Sequence, residues 1–153
     1  MRVILQRVAS ASVEVAGETV GAIGKGLLLF VGVEKGDGPE QTRAAVEKLA
    51  RLRIFEDDKG RMNLDAAVAG GEFLVVSQFT LAASLNKGRR PSFERAAPPA
   101  VAEPLVTAVA EGLRQRGFTV AEGSFGAHME VRLLNDGPVT FVLDFAPSGD
   151  GEA

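Results

Sequence analysis

The sequence has no cysteine, tryptophan or tyrosine among its 153 residues, and it has a single histidine, His128. Without cysteine the chain cannot form disulfides, bind a metal through thiolates or use a cysteine nucleophile. One histidine also excludes a three-histidine metal site. A lone histidine at the start of a strand is more often a surface residue than a base. The sequence therefore offers little acid–base chemistry through its side chains.

Long hydrophobic runs are also missing. The longest, Leu27 to Val31, has the length of a strand and falls far short of the roughly 20 residues that a membrane-spanning helix needs. The N-terminal M-R-V-I-L-Q-R lacks the apolar region and cleavage site of a signal peptide. A net charge of −3 argues against non-specific coating of nucleic acid, although a local basic patch remains compatible with a specific RNA contact. We therefore expect a cytoplasmic protein that does not bind membranes.

The remaining composition is that of an ordinary globular protein. Hydrophobic residues make up 46% of the chain and charged residues 24%, and this length suits one domain with a single core. The last residues, P-S-G-D-G-E-A, have the composition of a flexible tail. We predict a single domain over residues 1–146 and a flexible tail over residues 147–153.

Strands are predicted where apolar and β-branched residues alternate or run together. The N-terminal R-V-I-L-Q-R-V-A-S-A-S-V-E-V is either a strand pair or one long bent strand. The other predicted strands are a short one inside Gly17–Gly24, a strand buried on both faces at Gly26–Val33, Glu72–Leu81, and the segments F-T-V-A-E-G, M-E-V-R-L-L and V-T-F-V-L-D-F.

Two helices are predicted from apolar residues at helical spacing. Asp37 is the expected cap of the first, which ends near Leu52. The second opens at Pro98 and Pro99 and ends at Gly117. Together with the glycine-punctuated strands, this pattern predicts an α+β domain. Its strongly curved, mostly antiparallel sheet is expected to form a partly closed β-barrel-like structure, with the two helices packed on one side.

Four polar and aromatic residues, Ser77, Gln78, Phe79 and Thr80, follow the buried strand F-L-V-V. The plainer interpretation is a strand that reaches the surface, where the hydroxyls bond to nearby backbone. A serine or threonine nucleophile would need a base close by, and the local sequence supplies none. If the segment is catalytic, its backbone N–H groups are better candidates than its hydroxyls, because amides stabilise an oxyanion without titrating.

Three further segments have two interpretations each. Lys87, Arg89 and Arg90 form either a solvated surface run or a phosphate contact. The step Gly137-Pro138, in N-D-G-P-V-T-F, is either a hairpin turn or a rigid device that fixes the direction of two backbone carbonyls. Phe125 and Met129 are more often core than pocket residues. The acidic segment D-D-K-G-R-M-N-L-D lacks the ligand spacing of a calcium loop and predicts a polar turn.

Several of these segments together resemble one family, the D-aminoacyl-tRNA deacylases, once called D-tyrosyl-tRNA deacylases. S-Q-F-T-L at Ser77 and N-D-G-P-V-T at Asn135 are similar to the family's two signatures, and the pair is far more specific than either alone. The opening segment as far as F-V-G-V, and the segments K-G-R-R-P-S-F and F-G-A-H-M-E-V, also resemble the family. The resemblance extends over about the whole chain up to Phe145.

The resemblance implies a homodimeric hydrolase that acts as a proofreading enzyme in translation and uses no metal or organic cofactor. It would cleave the ester between a D-amino acid and the 3′-terminal ribose of tRNA, and would also remove glycine mischarged onto tRNA. The resemblance further implies that Gly137 and Pro138 form a cis peptide that reaches into the partner's active site. There the two carbonyls would face the α-carbon of the amino acid and exclude an L side chain.

Roles for the other residues follow from the same resemblance. Ser77, Gln78, Phe79 and Thr80 would line the adenosine and the scissile ester, with the Phe79 amide as oxyanion donor. Thr80 is one candidate nucleophile, but assistance by the ribose 2′-hydroxyl of the substrate fits a chain with so few bases better. The resemblance also assigns pocket walls to Phe125 and Met129, and phosphate contacts to Lys87, Arg89 and Arg90.

Two other functions remain compatible with these residues. One is a non-catalytic module that binds a tRNA 3′ end or a nucleotide in the same pocket. The other is a general serine or threonine esterase, against which the missing base argues. Loss of the ester from an aminoacyl-tRNA would separate the enzyme from the binding module.

Overall fold

The computed structural model describes residues 1–147. A curved six-stranded sheet dominates this part of the chain, accompanied by helices and a small hairpin. In chain order the elements are β1 (Arg2–Val15), β2 (Glu18–Ile23), β3 (Gly26–Gly32), α1 (Pro39–Arg51), β4 (Phe55–Glu56), β5 (Met62–Leu64), α2 (Ala66–Ala69), β6 (Glu72–Ser77), a 3₁₀ turn (Phe79–Ala82), α3 (Pro99–Gln115), β7 (Val120–Glu122) and β8 (Glu130–Asp144).

Strand β1 is the centre of the sheet. On one edge it pairs with β8 along nearly its whole length, from the pair Arg2–Asp144 to the pair Glu14–Glu130. On its other edge it pairs first with β3 and then with β2, so one long strand serves three antiparallel partners. The order continues from β3 to β6 and β7 through two parallel pairings. The predicted α+β class with a mostly antiparallel sheet is confirmed.

The sheet curves until its two ends touch. A Cβ atom at Gly21 of β2 would lie only 2.4 Å from the carbonyl oxygen of Glu122 in β7, so only glycine permits this contact. The contact brings the outer strands of the sheet together and closes most of the barrel. A small cluster fills the barrel interior: Val8, Ala11, Val13, Ile23, Leu28, Leu74 and Val76.

The main core lies between the sheet and the two long helices. Alternate residues of β1 and β3 point into it, and α1 and α3 contribute their apolar faces. The two helices also pack against each other, since a Cβ atom at Gly112 of α3 would lie 2.7 Å from Cγ2 of Val46 in α1. Both helices begin and end close to the predicted residues, with Leu52 as the C-cap of α1 and Pro98 as the N-cap of α3. The segment predicted as a polar turn, residues 57–65, contains β5 and connects it to β4, and the short helix α2 follows it.

The predicted cap of α1 is wrong. Gly38 occupies the N-cap position, and its N–H donates to the side-chain oxygen of Gln41 at 2.8 Å. Asp37 instead binds the Met1 ammonium at 2.7 Å and accepts the Glu34 N–H at 2.7 Å. The ammonium and the carboxylate are both buried, and a buried charge requires a partner of opposite sign. This tertiary contact overrides the local capping preference.

The predicted strand Glu72–Leu81 is also too long. Strand β6 ends at Ser77, and the chain then folds back over β3 in the 3₁₀ turn. The turn packs so closely that a Cβ atom at Gly32 would lie 2.7 Å from Cβ of Leu81. Beyond Pro147 the predicted tail lies outside the described residues, so the boundary of the domain stays a prediction. No helix within residues 1–147 is long and apolar enough to cross a membrane.

Candidate functional site

The segment after β6 presents backbone amides at the carboxyl end of a parallel strand pair. Ser77 is the last residue of β6 and lies opposite Val31 of β3. The Gln78 N–H donates to the Val31 carbonyl at 2.8 Å, and this bond fixes the start of the 3₁₀ turn. Phe79 opens the turn, where N–H groups have no acceptor within the helix. Among residues 1–147 no backbone acceptor faces the Phe79 N–H, which therefore remains able to bind a ligand oxygen.

A cavity of about 380 Å³ adjoins this segment. Its walls are mostly apolar, with Val33, Ala97, Ala102 and Val106 among them, and its polar edge is formed by Ser77 and Gln78. The volume lies within the usual range for small-ligand sites, roughly 300–1,000 Å³, which are apolar with a few polar groups. A larger groove of about 870 Å³ lies between α1 and α3, but none of the predicted site residues lines it. The smaller cavity is the better candidate for a site of chemistry.

Three of the four predicted catalytic residues, together with one predicted wall residue, meet at this cavity. Ser77, Gln78, Phe79 and Phe125 all line it. Thr80 does not, and its hydroxyl accepts a hydrogen bond from the Gln78 side-chain amide. Met129 does not line the cavity either. It packs against the interior cluster of the barrel, and its sulfur accepts the Ser124 N–H at 3.4 Å. The wall role of Met129 stays a prediction.

The predicted phosphate contacts lie on a loop beyond the 3₁₀ turn. Ser84 and Ser92 close this loop with two backbone hydrogen bonds of 2.8 and 2.9 Å. Lys87, Arg89 and Arg90 are exposed between them. A second hollow of about 410 Å³ lies at the base of the loop and is lined by Ser84, Asn86, Lys87, Ser92, Glu94 and Arg95.

The step Gly137-Pro138 lies within β8 and is cis. Both residues are exposed, and neither lines the cavity of its own chain. The Asn135 side chain spans the segment, since its nitrogen donates to the carbonyls of Arg7 and Val139 at 3.0 and 3.1 Å. The segment is therefore an interruption of a long strand, held by side chains, and differs from the hairpin turn that local sequence suggests.

Arg7 holds the same segment, and sequence reasoning missed it. Its side chain is only 4% exposed, yet it carries a charge. The guanidinium donates to the carbonyls of Ile54 at 2.8 Å and Asp136 at 3.2 Å, and it lies 3.7 Å from the Glu56 carboxylate. The alternation of inward and outward residues along β1 indicates this role. Val3, Leu5 and Arg7 share the inward face of the strand, where a lone cation requires acceptors.

No cluster of histidine, aspartate and glutamate side chains in the described chain has the arrangement of a metal site. Apart from the aliphatic side chains, the groups that line the cavity are backbone amides, the Ser77 hydroxyl, one carboxamide and two aromatic rings. Such groups can bind an ester, orient it and stabilise negative charge on its carbonyl oxygen. The proton transfers of hydrolysis would then depend on water or on the substrate.

Known proteins are similar to this chain in sequence and in fold. A family model described as D-Tyr-tRNA(Tyr) deacylase matches residues 4–144. A D-aminoacyl-tRNA deacylase of Syntrophotalea carbinolica is 56% identical over 144 residues, which are 94% of this chain and 97% of that protein. A D-aminoacyl-tRNA deacylase of Chloroflexus aurantiacus is 57% identical over 146 residues, which are 95% of this chain and 91% of that protein.

Two solved structures superpose on nearly the whole chain. The c-Myc DNA Unwinding Element Binding Protein does so with a TM-score of 0.89 and 37% identity, covering 95% of this chain and 99% of that one. A probable eukaryotic D-amino acid tRNA deacylase has a TM-score of 0.82 and 21% identity, covering 94% of this chain and 98% of that one. At the lower identity the likeness concerns the fold alone.

Proposed function

Because the chain belongs to the D-Tyr-tRNA(Tyr) deacylase family, we propose that it hydrolyses the ester between a D-amino acid and the 3′-terminal ribose of tRNA. Glycine mischarged onto tRNA is a second substrate of the same site. The observation that carries this proposal is the apolar cavity bordered by Ser77, Gln78 and Phe79, with the unpaired Phe79 N–H at its edge. The reaction is a proofreading step in translation.

The cavity suits the ester end of the substrate. The faces of the adenine ring and of a tyrosyl side chain are apolar, and a cavity of about 380 Å³ has the size and the apolar walls of a small-ligand site. The Phe79 N–H stabilises the oxyanion that forms when water adds to the ester carbonyl. The bond between the acyl carbon and the 3′-oxygen then breaks, the 3′-oxygen takes up the proton that the attacking water gives up, and the free acid ionises to a carboxylate.

The ribose 2′-hydroxyl is the group that we assign to this proton transfer. It is adjacent to the 3′-oxygen in every aminoacyl-tRNA, and it is absent from DNA. Thr80 is a poor nucleophile here, because its hydroxyl is engaged by the Gln78 amide and does not line the cavity. A threonine nucleophile also needs a base that activates its hydroxyl, and the local sequence supplies none. Thr80 therefore supports the segment and does not form a covalent intermediate.

Selection against L-amino acids is assigned to the carbonyls of Gly137 and Pro138 from a second copy of the chain. Within one copy these residues are exposed and do not line the cavity. Leu134, Phe141 and Val142 of the same strand are exposed apolar side chains, and their burial against a second copy would support association of two copies there. A rigid carbonyl wall leaves space for the α-hydrogen of a D-amino acid or glycine and clashes with an L side chain.

Hydrolysis of D-Tyr-tRNA, L-Tyr-tRNA and Gly-tRNA tests the activity directly. We expect the D-tyrosyl and glycyl esters to decay and the L-tyrosyl ester to persist. Equal decay of both tyrosyl esters would contradict the selectivity, and binding without decay would identify a binding module.

Sedimentation of the protein at assay concentration should show a dimer. A monomer with full activity and selectivity would remove the assigned role of the second copy.

Thr80→Ala tests the mechanism. We expect turnover to be retained, because the variant removes only a hydroxyl that the Gln78 amide binds. Loss of a covalent nucleophile lowers activity by several orders of magnitude. A loss of that size in a variant with an unchanged circular dichroism spectrum would identify Thr80 as the nucleophile.

A further inference from the structure

Two phenylalanine rings form an exposed platform beside the cavity. The rings of Phe79 and Phe93 have centroids 5.1 Å apart and are tilted by 55°. Phe79 is 58% exposed and Phe93 is 41% exposed, so neither ring belongs to the core. Leu85, which is 73% exposed, adds another apolar side chain on the loop between them. Exposed aromatic groups clustered in this way are typical of a binding surface.

The platform joins the cavity to the basic loop. Phe79 lines the cavity and also contacts Phe93. Phe93 directly follows Ser92, which closes the loop through its hydrogen bonds to Ser84. The cavity, the platform and the loop are therefore spatial neighbours, in that order, along one surface.

The loop has a surplus of positive charge. Lys87, Arg89 and Arg90 are exposed, and no acidic side chain of residues 1–147 pairs with them. Arg95 is already neutralised, since it donates to both carboxylate oxygens of Glu34 at 3.0 Å. Glu94 is the acidic side chain at the base of the loop. The unpaired cations fit a ligand with several negative charges.

We propose that the platform of Phe79 and Phe93 stacks an unpaired base of the tRNA 3′ end, upstream of the terminal adenosine. Lys87, Arg89 and Arg90 then contact the phosphates of that strand. This inference rests on the proposed function, which places the terminal adenosine and the ester in the cavity. The strand leaves the cavity past the Phe79 ring, crosses Phe93 and continues to the loop.

The chemistry of the surface agrees with this occupant. Aromatic rings stack on any base, and one stacked base changes affinity by about 5- to 150-fold. Stacking on two rings reads no particular base, which suits an enzyme that acts on the common 3′ end of many tRNAs. The phosphate contacts add affinity that depends on salt concentration.

The test compares two substrates that share the ester. One is D-Tyr-tRNA, and the other is adenosine carrying the D-tyrosyl ester, which lacks every upstream nucleotide. For Phe93→Ala we expect the ratio of kcat/KM for the tRNA to kcat/KM for the adenosine ester to fall by about tenfold or more. Phe93→Tyr keeps an aromatic ring and should restore the ratio. Val68→Ala, at an exposed apolar residue of α2 outside the site, is the matched control and should leave the ratio unchanged.

A second measurement concerns the loop. In the double variant Arg89→Gln with Arg90→Gln, the slope of log kcat/KM for D-Tyr-tRNA against log salt concentration should become shallower by roughly 1.4, since each phosphate on a single strand contributes about 0.7. The adenosine ester has no phosphate and should show no such slope in either protein. An unchanged slope for the tRNA would overturn the phosphate contacts.

Several results would overturn the platform. An unchanged ratio in Phe93→Ala shows that no base stacks there, and an equal loss on both substrates shows that Phe93 only supports the cavity. A change of oligomeric state in Phe93→Ala identifies the occupant as a second copy of the chain. Equally tight binding of single-stranded DNA and of RNA, lost alike in Phe93→Ala, shows a general nucleic-acid surface. If the wild-type protein hydrolyses neither substrate, the proposed function itself is wrong.

Discussion

Replacing Arg7 with methionine removes a buried guanidinium from beside Gly137. The side chain donates to the carbonyls of Ile54 and Asp136, at 2.8 and 3.2 Å. Its ion pairs with Glu56 and Asp136 add little, because both carboxylates are more than half exposed. Methionine fills most of the volume but leaves two carbonyls without a donor. An unpaired buried acceptor costs about 1–3 kcal/mol, and because the Asp136 carbonyl is only partly buried it adds about 1 kcal/mol, so we expect the free energy of unfolding to fall by about 2–4 kcal/mol.

The variant Arg7→Lys separates the effect of the positive charge on stability from the effect of the hydrogen-bond geometry. An ammonium keeps the positive charge but cannot reach two carbonyls with the planar fork of a guanidinium. We expect the lysine variant to lose about half as much stability as the methionine variant, measured by urea unfolding. Unequal urea dependences would show that the unfolded state has changed, so the comparison requires equal m-values.

The same variants test how the Gly137 segment is held for selection. Without its hydrogen bond from Arg7, the Asp136 carbonyl no longer fixes the adjacent residues. The ratio of D-Tyr-tRNA to L-Tyr-tRNA hydrolysis should fall by about tenfold, which corresponds to one hydrogen bond of about 1.4 kcal/mol. Wild-type stability in Arg7→Met would refute the energetic reasoning. Reduced stability with an unchanged ratio would show that Arg7 supports the fold but not the selection.

Three further substitutions test other contacts. Gly112→Val adds side-chain atoms where a Cβ alone would lie 2.7 Å from Val46, so thermal unfolding should show a loss of about 1–3 kcal/mol, and unchanged stability would contradict close packing of α1 on α3. Gly137→Ala places a side chain at φ +129°, with its Cβ 2.7 Å from Val139, so the D-over-L ratio should drop, and an unchanged ratio would contradict the carbonyl wall. A hydrogen bond from Arg116 holds the pKa of Glu47 below its usual value, so the folded pKa lies below the unfolded one. That contribution to stability is present above the unfolded pKa and is lost as pH falls through the folded pKa. Glu47→Gln should therefore make unfolding less dependent on pH on the acid side, and an unchanged acid limb would contradict it.

Residues at the helix ends predict where the long helices begin and end. The Pro98-Pro99 pair and Gly117 bound the second helix because proline fixes its own φ and glycine adopts the positive φ with which the chain leaves the helix. The end of β6 at Ser77 depends instead on a hydrogen bond to Val31 and on space above Gly32, which no local pattern reveals. Contacts between residues distant in sequence therefore decide where strands stop.

The residues of the candidate site divide in the same way, into those that local sequence predicts and those that depend on distant contacts. The position after a buried strand and the resemblance together predict Ser77, Gln78 and Phe79 as site residues, and these three residues line one cavity. Arg7 was missed because its acceptors, the carbonyls of Ile54 and Asp136, are 47 and 129 residues away. A charge on the inward face of a strand indicates that acceptors exist, but not where they lie.

The pairing of β8 with β1 has a consequence for synthesis of the protein. One edge of β1 finds its partner, along nearly the whole strand, only when the segment Glu130–Asp144 has left the ribosome. Until then one edge of β1 is open, and an open edge of an apolar strand invites pairing with other chains. Contacts across so many residues also form slowly. The nascent protein is therefore exposed to aggregation until the same strand that carries Gly137 and Pro138 covers this edge, so protecting β1 and placing that segment are one event.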